Sequence, residues 1–139
     1  MNKLKILFAA VLTLTIMACE GEDCCVYPDE CPTNVGCTEE YRSLLFQPTK
    51  DGQAVLLDSY YVKNLDNDNI YNFTNNDTHD RLAAYIVATD SQLEEVKKSG
   101  STLRFVGSTN NEVVIEQDFV VGHDCCHIVG IEGPFYGGN

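Results

Sequence analysis

The chain has 139 residues, about one domain's worth, with 9 basic and 21 acidic side chains and a formal charge of −12. That excludes a multidomain enzyme, and repulsion from phosphate argues against nucleic-acid binding. Residues 1–19 hold 14 of the 61 apolar residues, so residues 20–139 are about 39% apolar, lean for a core but above the disordered range. All the acids follow position 19, whereas Lys3 and Lys5 precede it, so residues 20–139 carry 7 basic against 21 acidic side chains, a charge of −14.

Met1–Lys5 is a positive opening, and Ile6–Ile16 is an apolar run too short to span a bilayer but right for the core of a signal peptide. The run ends Ile16-Met17-Ala18-Cys19, which resembles the lipobox of bacterial lipoproteins. By that resemblance cleavage leaves Cys19 as the lipidated N-terminus, held by acyl chains that contribute about 0.8 kcal/mol per buried methylene. Glu20-Gly21-Glu22-Asp23 resembles the acidic patch with which some Gram-negative bacteria direct lipoproteins to the outer face of the outer membrane. A periplasm-facing position is the alternative.

Residues 20–40 are rich in Cys, Pro, Gly and acids, without periodicity, and read as a tether. From Tyr41 the pattern turns to short β runs between turn signals. Tyr41–Gln47 is a strand, Pro48–Gly52 a turn, and Gln53–Leu65 a long strand with a break or bulge near Asp58. Asp66–Asn69 is a turn, Ile70–Phe73 a short strand, Thr74–Arg81 a polar loop, and Leu82–Thr89 a central apolar strand. Ser91 with Glu94 matches a capping box, and Leu93 with Val96 shares a face, so Ser91–Ser99 is expected as a two-turn helix capped by Gly100. Thr102–Gly107 is a strand, Ser108–Asn111 a hairpin turn, and Glu112–Gly122 an alternating strand. On it Val113, Ile115, Phe119 and Val121 lie opposite Val114, Glu116, Asp118 and Val120. Cys125–Glu132 is the last strand and Pro134–Asn139 a Gly-rich tail. The reading is an all-β antiparallel sandwich of about seven strands with one short helix, made of a leader (1–19), a tether (20–40) and a β domain (41–139).

Seven cysteines become six once Cys19 is lipidated: Cys24, Cys25, Cys31, Cys37, Cys125 and Cys126. An even number in an oxidising compartment points to disulfides, with 15 connectivities open. Adjacent residues on a strand face opposite ways, so Cys125 and Cys126 are expected to take separate partners in the N-terminal cluster, the other two pairing locally. The competing reading is a metal site in His123-Asp124-Cys125-Cys126-His127, with Cys125 and His127 sharing a face; five consecutive strand residues do not converge on one tetrahedron. A catalytic Cys–His pair needs a free thiolate, which oxidation removes.

Asp66, Asp68 and Asn69, with Asp77 or Asp80, are calcium candidates, but Ile70 and Tyr71 break the EF-hand pattern and such clusters are ordinary turn formers. Asn72-Phe73-Thr74 and Asn76-Asp77-Thr78 match glycosylation sequons and are read as polar loop. Tyr60 and Tyr61 should point to opposite faces of their strand, and His79 and His123 are expected as solvated loop histidines.

The stretch Leu44–Leu57, with its Lys50-Asp51-Gly52 turn, is similar to the opening of carboxypeptidase-regulatory-like domains, which are transthyretin-like sandwiches. The wider layout resembles small Gram-negative lipoproteins ending in a Gly-x-Asp-Cys-Cys-His strand. It comprises the lipobox, the cysteine cluster, Tyr41-Arg42-Ser43, Leu57-Asp58-Ser59-Tyr60, Arg104-Phe105-Val106-Gly107 and Val121–His127. This resemblance implies no activity. The expected function is a non-enzymatic, cofactor-free interaction or accessory module of the cell envelope. It would be held at the membrane by its lipid and meet an envelope protein or glycan through end loops or an open sheet edge. Capture of calcium, a transition metal or a small ligand is the alternative, and a small envelope enzyme a third.

Overall fold

The computed structural model describes residues 29–74 and 82–137. Cys19, Cys24, Cys25, Asp77, His79, Asp80 and the sequon at 76–78 lie outside these residues. Among the described residues no helix is long and apolar enough to cross a membrane.

The architecture is β throughout, with antiparallel pairing and one short 3-10 helix, Asp90–Glu95. In chain order the strands are β1 (Ser43–Phe46), β2 (Thr49–Lys50), β3 (Gln53–Ala54), β4 (Ser59–Asn64), β5 (Ile70–Tyr71), β6 (Tyr85–Thr89), β7 (Ser101–Thr109), β8 (Glu112–His123), β9 (Ile128–Glu132) and β10 (Phe135–Tyr136). One sheet has the order β5-β4-β7-β8-β9, the facing sheet β10-β1-β6, and β2-β3 forms a separate hairpin.

Period-two alternation decides which side chains go inside. On β4, Tyr60, Val62 and Asn64 are buried while Tyr61 faces out. On β8, Phe119 and Val121 are buried and Glu116 and Asp118 exposed. The sheets meet through rings: Phe46 of β1 lies 5.2 Å, edge on, from both Phe105 and Phe119, and Tyr60 lies 5.1 Å from Tyr85 and stacks at 5.1 Å on Phe105. Each such pair contributes about 0.5–1.5 kcal/mol beyond its buried area. Two tyrosine hydroxyls lock the layers together: Tyr60 accepts from Ile86 N (3.2 Å) and Tyr85 accepts from Leu57 N (2.7 Å).

Several elements depart from the sequence reading. The strand over 53–65 is two pieces, because Leu57 turns inward to pack on Gly107, where a Cβ would sit 2.5 Å from its Cδ1. The helix begins earlier and is tighter. Thr89 is its N-cap, its side chain accepting from Ser91 N, and Gln92 rather than Glu94 closes the capping box by accepting from Thr89 N. Lys97 and Lys98 fall beyond the helix, and its short run puts Val96, not Leu93, into the core. The hairpin turn narrows to Asn110-Asn111, both left-handed (φ 52° and 63°), as a two-residue connection requires. The tail supplies β10, which closes against β1 and lays Phe135 over Gly130. Six strands have four residues or more, and β2, β3, β5 and β10 are two-residue pairs.

Candidate functional site

The long strand β8 gives the molecule two ends. Glu112 and His123 are eleven residues apart, about 37 Å at the rise of an extended strand. The His123 end gathers the described part of the tether (29–40), the 3-10 helix and the start of β9; the Glu112 end gathers the β7–β8 hairpin and residues 56–59, into which the β2–β3 hairpin leads.

At the first end, residues 124–127 form a turn and not a strand, which corrects the expectation that β9 starts at Cys125. Asp124 Oδ1 accepts from Cys126 N (3.0 Å) and His127 N (2.7 Å), and Asp124 N donates to His127 O (3.0 Å). Those two backbone donors hold the Asp124 carboxyl below the usual range. Cys125 takes a left-handed conformation (φ 78°) that L-residues rarely adopt. In this turn the adjacent cysteines reach separate partners: Cys31–Cys125 and Cys37–Cys126 are disulfides, with Cα–Cα distances of 5.6 and 5.3 Å. The separate partnering agrees with expectation, but the cause is the turn.

The same turn divides the two histidines. His123, the last residue of β8, is buried rather than solvated; burial, helped by Lys98, pushes its pKa down. Its Nδ1 accepts from Cys125 N (3.1 Å) and lies 3.9 Å from Cys31 Sγ. His127 is buried on the other side, so Cys125 clusters with His123 and not with His127.

His127 Nδ1 donates to Asp90 Oδ2 (2.8 Å), because an ionised carboxylate can only accept, and Nε2 meets Thr38 Oγ1 at 3.0 Å. Asp90 also accepts from Arg42 N (2.8 Å) and Ile128 N (2.9 Å). Burial works against the charged Asp90, but His127 and the two backbone donors outweigh it and hold the carboxyl low. The Thr38–His127–Asp90 chain thus ties tether, turn and helix start together. Sequence reasoning missed Asp90 and Thr38, because nothing local marks a carboxylate that serves three distant segments. Nearby, Asp29 takes both Ser99 N (2.8 Å) and Ser99 Oγ (2.6 Å), and those bonds hold its carboxyl low.

The calcium candidates are engaged elsewhere. Asp66 pairs with Lys97 (2.8 Å), which holds its carboxyl low, and Asp68 pairs with Lys63 (2.6 Å). Asn69 donates to Glu95 (2.8 Å). This turn is organised by fully buried Asn64, whose Oδ1 accepts from Asp66 N and whose Nδ2 donates to Glu95 O (3.0 Å). Among the described residues, Cys31, His123 and Cys125 are the trio of ligand-type side chains that converges, all within 4.8 Å.

The Glu112 end is apolar and exposed. Leu56 (65% exposed), Val113 (60%) and Val114 (46%) stand out from it. Beside them a cleft of about 630 Å³ runs between the sheets, lined by Leu56–Tyr60, Phe73, Thr74 and Tyr85. Exposed Asp58 and Glu112 lie at this end, and Asp58 Oδ2 accepts from Asn110 N (2.6 Å). No protein-family model, curated protein or solved structure matches the chain.

Proposed function

We propose that the chain is a non-enzymatic lipoprotein of the bacterial outer membrane, an interaction module that engages a protein partner with its Glu112 end. The observation that carries this reading is the opposition of the two ends. The tether and both disulfides gather at one end, and the exposed Leu56, Val113 and Val114 crown the other, about 37 Å away. Support for the location comes from the lipobox-like Ile16–Cys19 and from disulfides, which persist in oxidising compartments. Cys19 lies ten residues before Asp29, so a lipid there holds the His123 end within about 35 Å of the bilayer. The far tip is then the end that carries no attachment to the tether. Its exposed apolar side chains, with the acids Asp58 and Glu112 near them, fit a partner with apolar contacts and basic flanks.

Crosslinking on intact cells with a lysine-reactive reagent tests the reading. Lys50 sits on the β2–β3 hairpin, which leads into Leu56 beside Thr109, whereas Lys98 sits at the opposite end. The expected result is a discrete protein adduct through Lys50 that needs the membrane-bound form. Fractionation of Cys19→Ser should show release from membranes. Continued membrane association of Cys19→Ser, or adducts through Lys98 alone, would overturn the reading.

A further inference from the structure

We propose that Cys31, Cys125 and His123 form a redox-gated site for a thiophilic d10 metal ion, Zn2+ or Cu+, closed while the disulfide stands and opened by its reduction. This goes beyond the interaction module and does not depend on it.

The geometry is close to that of a coordination sphere. Ligand atoms 2.0–2.3 Å from a tetrahedral metal lie about 3.5–3.8 Å apart. Cys31 Sγ and His123 Nδ1 are already 3.9 Å apart, and all three ligand atoms lie within 4.8 Å. Reduction need only part the two sulfurs by about 1.5–2 Å to reach ligand spacing. The imidazole is already turned to bind: Nδ1 accepts the Cys125 N–H, so it carries a lone pair on the side of the sulfurs, and that single 3.1 Å bond is what a metal would replace.

The three ligands would stay together after reduction. His123 is the buried end of β8, and Cys125 sits in the turn fixed by Asp124. Cys31 lies between two contacts that do not depend on sulfur, the bond of Asp29 to Ser99 on one flank and that of Thr38 to His127 on the other. Thiol and imidazole suit Zn2+ and Cu+ and not calcium or magnesium. Cys31 is exposed, so a reductant reaches it. The left-handed backbone of Cys125 is a sparsely populated conformation of the kind that gathers at functional sites. The Cys37–Cys126 pair belongs to no such trio among the described residues.

The chemistry balances with a dithiol as reductant. It gives two electrons and two protons to the Cys31–Cys125 bond and becomes a disulfide, leaving two thiols. The metal then displaces both thiol protons and forms two metal–sulfur bonds and one metal–nitrogen bond, the fourth position being left to water.

The test uses the full chain with Cys19→Ser, Cys24→Ser and Cys25→Ser, so that only the two bridges contribute cysteine sulfur. Oxidised protein and protein reduced by a phosphine are titrated with Zn2+, and with Co2+ as a spectroscopic stand-in. The expected result is one ion per reduced chain, none per oxidised chain, and Co2+ spectra of a tetrahedral two-thiolate site. His123→Ala should weaken binding by more than the roughly ten- to hundredfold that loss of an outer-shell partner costs. Cys37→Ser/Cys126→Ser should keep the stoichiometry, and Cys31→Ser/Cys125→Ser should abolish it. Competition between Zn2+ and Cu+ identifies the preferred ion. Equal binding by oxidised protein, by folded His123→Ala or by Cys31→Ser/Cys125→Ser would overturn the proposal. Should His123→Ala not fold, the Cys31→Ser/Cys125→Ser arm alone decides.

Discussion

Removing one disulfide should cost far less than half of what removing both costs. Each bridge taken alone closes a loop of 94 or 89 residues, for which chain entropy predicts about 4.7 kcal/mol. The bridges are not independent, because Cys125 and Cys126 are neighbours and Cys31 is six residues from Cys37. Once one is closed, the other closes a ring of only about eight residues, worth about 2.5 kcal/mol. Cys31→Ser/Cys125→Ser and Cys37→Ser/Cys126→Ser should therefore each lose about 2.5 kcal/mol, and the quadruple variant about 7 kcal/mol. Urea titration of oxidised proteins, with Cys19, Cys24 and Cys25 replaced by serine throughout, measures this. At a slope of about 1–2 kcal/mol/M each pair should lower the midpoint by about 1.2–2.5 M. Two strictly additive losses of about 4.7 kcal/mol would show that the bridges constrain separate parts of the unfolded chain and would refute the reasoning.

Asp90→Ala strands the donors of Arg42, Ile128 and His127 and should destabilise by about 3 kcal/mol in thermal melts, with Asp90→Asn milder because it keeps an accepting oxygen. Stability should also fall in acid. The carboxyls of Asp90 and Asp124 are held low in the fold, beside His127 and Arg42, so the unfolded chain binds their protons first as pH drops. Their contribution is complete above the unfolded carboxyl pKa of about 4 and is lost as pH falls through the folded values, and Asp90→Asn should flatten that slope in urea midpoints taken from about pH 6 to pH 3. Phe105→Ala removes the ring shared by Phe46, Tyr60 and Tyr85 and should cost about 3–5 kcal/mol in the same titration.

Elements whose logic is local were legible in the sequence. Alternation on β8 put Phe119 and Val121 inside, the Asn110-Asn111 hairpin followed from turn chemistry, and Tyr60 and Tyr61 split as a strand must. What escaped depends on distant partners. Thr89 and Gln92 cap the helix, yet Ser91 and Glu94 fit the same motif two residues along, and only packing of Val96 chooses between them. A strand assignment for Cys125 separated the cysteines correctly but placed Cys125 with His127; the Asp124-centred turn pairs it with His123 instead. Asp90 and Thr38 carry no local signal, since their roles arise when segments 37 and 89 residues from His127 meet there.

The most direct test of the interaction module is Val113→Arg/Val114→Arg, probed by the same crosslinking on intact cells. Both side chains are exposed, so the melting temperature should stay unchanged, while the Lys50 adduct should vanish because two charges now stand where the apolar contacts were. An undiminished adduct from a folded, membrane-bound variant would contradict the assignment of the Glu112 end as the working surface.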